Sequence, residues 1–263
     1  MNINLDRGNI FLETPWEDRN LGLKTFTIND GCLGLLSQGV LEDELSRLRC
    51  DFNKFFIFSR LPKVHLHLVP VLQNCGFYLV EGIVCPVLRF DKSPLLETFR
   101  MRSAQFIPVR FKEHAVHFIS LDDEREKYAE RLLSIARESF SDDRFHIDFR
   151  CSEDVANRRF ESWVNDLLDD RQVMFDMLEV NREAAGFMAR KGNSLILAGF
   201  SRKYVRSGLG DYLWLGALQR MHEQGLRYAE SLVSMNNIPV LNLYARLGFK
   251  FRNPQYSFHY WSQ

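Results

Sequence analysis

This chain carries little that suits oxidative folding or metal capture. Its five cysteines, Cys32, Cys50, Cys75, Cys85 and Cys151, are odd in number and widely spaced, and no Cys-x-x-Cys occurs. That argues against a disulfide framework or a zinc ribbon and for idle thiols in a reducing cytosol. His65 and His67 form a close pair, as do His114 and His117, but neither pair has a matching acidic third ligand nearby. No metal is expected. Charge of neither sign is in excess: 34 Lys and Arg stand against 34 Asp and Glu. No global field therefore draws nucleic acid or an anionic membrane. Uncharged apolar runs stay well short of the ~20 residues that span a bilayer. The opening residues, Met1-Asn-Ile-Asn-Leu-Asp-Arg-Gly, lack the basic-then-apolar pattern of a secretory leader. Repeats and low-complexity stretches are absent too. The expectation is a cytoplasmic enzyme without nucleic-acid partners and without membrane insertion.

What the chain does have is concentrated between Ser194 and Phe249. An apolar strand, Ser194 to Phe200, runs into a basic, Gly-containing loop, Ser201-Arg-Lys-Tyr-Val-Arg-Ser-Gly-Leu-Gly210. A helix from Asp211 to Glu223 follows and Gly225 ends it. A second strand spans Leu226 to Val233, then come Ser234-Met-Asn-Asn237, a helix through Tyr244, and Leu247-Gly-Phe249. A strand feeding a Gly-rich turn and a helix start leaves backbone N–H groups aimed at one spot, which the helix dipole makes attractive to anions. The loop is no Walker P-loop, since no Gly-Lys-Ser/Thr follows. It is a poor dinucleotide fingerprint, since Leu213 replaces the third glycine. From Ser201 onward eight basic side chains face three acidic ones, a balance suited to an anionic ligand.

At 263 residues the chain has room for one large domain or two ordinary ones. Apolar spacing predicts a helix over Leu41–Phe52, a buried strand at Lys54–Ser59, a helix ending at Gly76, and strand material over Phe77–Phe90. The stretch Asp91–Met101, with Ser93-Pro94, reads as the boundary, giving an N-terminal domain over 1–102 and a second over 103–263. In the second, a strand over Lys112–Ser120 precedes a helix over Asp122–Ser139. A polar loop, Phe140–Phe149, leads to a helix over Glu153–Leu168, and Gln172–Val180 with Ala184–Ala189 form an antiparallel pair. The order is α+β.

The loop Val205-Arg-Ser-Gly-Leu-Gly210, with Asn237, Tyr244 and Leu247-Gly-Phe249, resembles the GNAT acetyltransferase superfamily. Its pyrophosphate motif has Gln or Arg where Val205 stands here. Asp143-Arg-Phe-His-Ile-Asp148, Asn157, Phe160 and Trp163-Val-Asn165 resemble one GNAT branch, the TDP-fucosamine acetyltransferases. Thr14-Pro-Trp16-Glu-Asp18 and Leu72–Phe77 resemble that branch's extra N-terminal domain. The resemblance implies a mixed central sheet flanked by helices, preceded by a smaller α/β domain.

It also implies acetyl-CoA as co-substrate, and an acceptor amine on a nucleotide-linked 4-amino-4,6-dideoxy sugar. Phe200, Arg202, Val205, Arg206, Ser207, Gly208, Leu209, Gly210 and Asn237 would hold the cofactor. Tyr244 would protonate the leaving thiolate, and Arg144, Phe145, His146 and Trp16 would meet the acceptor. The residues alone also allow plainer roles: Tyr244, between Leu241 and Leu247, as a core aromatic, Asn237 as a helix cap, and Arg144 as a surface arginine. No base for the amine stands out, Glu179 being a weak candidate. Another amine, another acyl-CoA, or a binding module without turnover are the competing functions, and a homodimer is left open.

Overall fold

The computed structural model describes residues 9–121, 124–139 and 143–262. They fall into two compact units. The first takes the chain up to Ile83, Ile147–Arg150 and Asn253 onward; the second takes Val84–His146 and Cys151–Arg252.

The first unit begins with strand β1 (Phe11–Glu13), helix α1 (Pro15–Leu21) and strand β2 (Lys24–Ile28). Helix α2 (Gln38–Asp51) is capped by Ser37, whose Oγ accepts the Val40 N–H, and it buries Leu41 and Leu45. Strand β3 (Phe55–Pro62) carries the run Phe55-Phe-Ile, buried on both faces as a parallel strand should be. It lies parallel to β2. Helix α3 (Val69–Asn74) stops at Gly76, whose φ of 91° is a left-handed turn open to glycine. Strand β4 (Tyr78–Arg89) follows and passes from this unit into the next. The chain's last residues return to lie antiparallel to β3, from Gln255 opposite Pro62 to Trp261 opposite Phe56. The core gathers Phe26, Leu41, Leu45, Phe55, Ile57, Leu72, Phe77, Phe258 and Tyr260.

The second unit continues with helix α4 (Pro94–Arg102), strand β5 (Val116–Ser120), helix α5 (Arg125–Ser139), the short helix α6 (Arg144–Ile147) and helix α7 (Glu153–Asp169). Strands β6 (Met174–Val180), β7 (Glu183–Lys191) and β8 (Ser194–Phe200) form an antiparallel meander. Helix α8 (Gly210–Glu223), strands β9 (Tyr228–Ser231) and β10 (Val233–Ser234), helix α9 (Ile238–Arg246) and strand β11 (Lys250–Trp261) complete the chain. The sheet order in this unit is β4-β9-β8-β7-β6-β5, and β8–β9 is its parallel pair. Alternation sorts the faces. Phe175, Met177, Phe187, Ala189 and Leu197 pack with α5 and α7, while Leu178, Val180, Met188 and Leu195 pack with α8 and α9. The architecture is the mixed sheet between helices that the α+β reading anticipates.

Three expectations change. The boundary is not at 102: Asp91–Met101 contributes α4, whose Leu96 and Phe99 are buried in the second core, and the division falls inside β4 near Ile83. A Ser-Pro pair reads as linker, but here Ser93 caps the helix and Pro94 opens it. The C-terminal strand, from Asn253, belongs to the first unit rather than the second. The strand expected over Leu226–Val233 breaks at Leu232, leaving β9 and β10. The expected helix start at Asp122-Asp123 lies outside the described residues.

Candidate active site

The site is made by a fork in the sheet. β8 and β9 pair only at Ser194–Glu230 and Leu195–Ser231. At that point β8 also changes register against β7. Arg190 faces Leu195 and Ala189 faces Leu197, so Ile196 is an inserted residue, a β-bulge. A bulge bends its strand and frees the ladder locally. The Ser231 Oγ donates to the Leu195 carbonyl at 2.8 Å and closes the fork's base. Beyond it opens a cleft of about 180 Å³, with Leu195 to Ala198 on one side and Ser231 to Ser234 on the other. Trp214 of α8, Asn237, Val240 and Tyr244 also line it, together with Asp143, Phe160 and Trp163. The strand edges along the cleft are free to hydrogen-bond an extended chain or polarise a carbonyl.

Past β8 lies the basic loop. Arg206 has φ 56° and Gly208 has φ 84°, and a Cβ on Gly208 would stand 3.2 Å from Pro108 Cγ. The Arg206 carbonyl accepts from Arg110 Nη2 at 3.1 Å, and Ser207 Oγ accepts the Leu209 N–H at 3.3 Å. The loop is thereby fixed as it enters α8, whose first-turn amides of Gly210, Asp211 and Tyr212 lack acceptors within the helix. Asp211 would repel an anion there, but Arg246 grips it through Nε at 3.0 Å and Nη2 at 2.5 Å. Beside the loop a cavity of about 570 Å³ is walled by Arg137, Glu138, Arg202, Val205 and Arg206. Three arginines beside the loop that leads into α8 suit a phosphate-bearing ligand. The residues therefore fit the phosphates and arm of coenzyme A. Arg137, from α5, is absent from the sequence-based set, since nothing local in sequence ties α5 to this loop.

Tyr244 lines the cleft, 3% exposed, edge-on to Trp214 and Phe249. Burial pushes its hydroxyl above the ordinary phenol range, and the Ser231 and Trp214 side chains pull the other way. A phenol so held stays protonated at neutral pH and can give its proton to a stronger base. It is thus both a core aromatic and a cleft wall. Asn237 likewise does two things: its Oδ1 accepts the Val240 N–H at 3.2 Å, capping α9, and it lines the cleft. Leu209 is wholly buried, and Phe200, half-buried, packs against the core.

The acceptor residues are distributed differently from expectation. Phe145 is 0% exposed, with the guanidinium carbons of Arg144 and Arg159 each 4.7 Å from its ring centroid. Arg144 is itself buried at 5%, so this pair supports α6 from within rather than standing open over a ligand. The physical reason is the short helix, which turns both side chains inward where a loop was expected. His146 is half-buried between Asp143, on its Nδ1, and Asn157 Oδ1, 3.0 Å from its Nε2. Trp16 is half-buried in α1 of the first unit. Glu179 pairs with Arg131 at 3.1 Å and is not among the residues lining the cleft.

Comparison with known proteins agrees with this fold. The model of the acetyltransferase (GNAT) family matches residues 129–249, the stretch from α5 to the start of β11. The chain is 23% identical to the spore coat polysaccharide biosynthesis protein SpsD of Bacillus subtilis (strain 168), over 96% of this chain and 83% of that one. Among solved structures, a tandem GNAT protein from the clavulanic acid biosynthesis pathway superposes with a TM-score of 0.57 at 13% identity, covering 90% of this chain and 75% of that one. A GCN5-related N-acetyltransferase from Sphaerobacter thermophilus gives 0.59 at 12% identity, covering 95% and 75%. No described helix is long and apolar enough to cross a membrane.

Proposed function

Because the chain carries a GNAT acetyltransferase domain, we propose that it transfers an acetyl group from acetyl-CoA to the amine of a nucleotide-linked amino sugar in polysaccharide synthesis. The observation that carries this is the cleft: a forked parallel pair with Tyr244 in its lining and an arginine-walled cavity beside the loop that follows β8. The loop amides and Arg137, Arg202 and Arg206 hold the phosphates. The edge of β8 at its bulge donates to the thioester oxygen as charge develops there. Tyr244 gives its proton to the departing sulfur, which leaves more readily as a thiol than as a thiolate. The sugar acceptor is supported by the 23% identity to a spore coat polysaccharide biosynthesis protein over nearly the whole chain.

The test is CoA release with purified nucleotide amino sugars, beside polyamines, peptides and aminoglycosides. The expected result is turnover with a dTDP-linked 4-amino-4,6-dideoxyhexose. Turnover confined to an amine without a nucleotide would leave the acetyltransferase and remove the sugar reading.

A further inference from the structure

Acetyl transfer leaves one proton unassigned, the one the nitrogen must lose. Among the described residues that line the cleft there is one carboxylate, Asp143, in the same lining as Tyr244. Of the acidic groups on neighbouring elements, Glu179 pairs with Arg131, Glu161 with Arg137, and Asp211 with Arg246. Asp143 is held by two groups, one of which is itself held by a third. The Phe145 N–H donates to its Oδ1 at 2.8 Å, His146 Nδ1 meets its Oδ2, and Asn157 Oδ1 stands 3.0 Å from the far nitrogen of that ring. His146 thus lies between two oxygen acceptors, an arrangement that favours N–H on both ring nitrogens and an imidazolium facing the carboxylate.

We propose that Asp143 is the proton acceptor for the attacking nitrogen and that His146 is the positioning residue that aims it. The assignment rests on the acetyltransferase reading above. The chemistry balances as follows. The neutral amine nitrogen attacks the thioester carbonyl carbon, the C–N bond forms, and the carbonyl π pair moves to oxygen. The nitrogen, now positive, is far more acidic than the free ammonium, so an ionised carboxylate suffices to take its proton. The carbonyl then re-forms, the C–S bond breaks, and sulfur takes the Tyr244 proton. The amide and the thiol leave, and the proton on Asp143 returns through water to the Tyr244 oxygen.

The surroundings keep this acceptor in its charged form. Burial pushes the Asp143 carboxyl up, but the hydrogen bonds from His146 and the Phe145 N–H, with the charge of Arg159, outweigh it and hold the group below the ordinary range. Burial pulls His146 down, while Asp143, Asn157 and the more distant Glu153 together hold it above its ordinary value. Asp143 is therefore ionised when the amine arrives.

The experiment compares Asp143→Asn, His146→Gln and the double variant with wild type, using whichever amine the wild type acetylates best. Acetyl-CoA affinity is measured by calorimetry and folding by circular dichroism. Asp143→Asn keeps the shape of the group and is expected to lower kcat by at least about 10²-fold with acetyl-CoA affinity unchanged. His146→Gln is expected to lower kcat about 10-fold, and the double variant to fall no further than Asp143→Asn alone, because His146 acts through Asp143. Formate added to Asp143→Ala is expected to restore part of the turnover, which a folding role would not allow. Asp143→Asn within about 3-fold of wild type would overturn the assignment and leave the acetyltransferase standing, as would additive losses in the double variant for His146. Wild type that turns over no amine would remove the function and this assignment together.

Discussion

Each unit contains a parallel strand pair, and the two pairs differ at the point that makes a site. In the first unit β2 and β3 stay in register from Lys24–Phe55 to Thr27–Phe58 without a bulge. In the second, β8 and β9 part after Leu195–Ser231, where Ile196 is inserted. The flanking frame is otherwise repeated. The helix after each second strand ends at a left-handed glycine, Gly76 or Gly248, followed by phenylalanine. The Phe77 N–H bonds the Leu72 carbonyl at 3.0 Å, and the Phe249 N–H bonds the Tyr244 carbonyl at 3.0 Å. Leu72 therefore occupies in the first unit the place of Tyr244 in the second, and it is 0% exposed. The loop after β2, Asn29 to Gln38, has Asp30 and no basic residue, whereas that after β8 has Arg202, Lys203 and Arg206. One frame closed over an aliphatic side chain is core. The same frame, forked by a bulge and carrying a phenol, with a basic turn after its first strand, is a cleft.

The largest expected effect breaks the contrast at the loop. A Cβ on Gly210 meets only Leu243 at 3.5 Å, so Gly210→Glu should fold. Its carboxylate would lie at the N-terminus of α8 where an anion is to bind. Calorimetry is expected to show acetyl-CoA affinity lowered beyond detection; an unchanged Kd would place the phosphates elsewhere. Next comes the exchanged pair of side chains. Tyr244→Phe keeps the ring packing and removes the acid, so kcat is expected to fall about 10²-fold with acetyl-CoA affinity retained. Leu72→Ala should do the reverse, costing roughly 2–5 kcal/mol of stability in denaturant titration and leaving acetyl-CoA affinity alone. Activity within about 2-fold of wild type in Tyr244→Phe would return that residue to the class of Leu72.

Much of this contrast was legible in the sequence, and the missing part has a physical cause. The strand, basic turn, helix, strand, helix order was readable because turn glycines and apolar periodicity are local signals. Tyr244 and Asn237 came with it, both on α9 or its cap. The bulge at Ile196 was not readable: no glycine or proline marks it, and it exists only in the register against β7. Asp143, present only as part of a motif, and Arg137 received no role, because which loop and helix end meet the cleft and the basic cavity is set in three dimensions. Arg144 and Phe145 were misjudged because a polar stretch reads as an open loop, while a single turn of helix buries both. The return of Asn253 onward to the first unit is a strand pairing across some 200 residues of sequence, which no window along the chain reports.

The smallest expected effect sharpens the comparison from the side of the first unit, whose polar interior is structural. Asp148, 1% exposed, accepts from Tyr78 Oη at 2.7 Å, Trp261 Nε1 at 2.8 Å and the Arg150 N–H at 2.9 Å, and it meets His259 Nδ1 at 2.7 Å. These join Ile147–Arg150 to the start of β4 and the end of β11. Burial opposes the charge of Asp148, but the four donors prevail and hold its carboxyl at about 2, against an ordinary 3.8. A carboxyl depressed on folding gives stability that is fully present above its unfolded value and lost as pH falls through its folded value. The contribution, about 2 kcal/mol, should therefore disappear between roughly pH 4 and pH 2. Urea titrations across that range, followed by intrinsic tryptophan fluorescence, are expected to show wild type losing this increment on acidification. Asp148→Asn should lack it already at pH 7 and lose less on acidification, with acetyl-CoA affinity at pH 7 unaltered. Equal acid sensitivity in the two proteins would mean that the network's donors are satisfied as well by an amide as by a carboxylate, and that its charge contributes nothing to the fold.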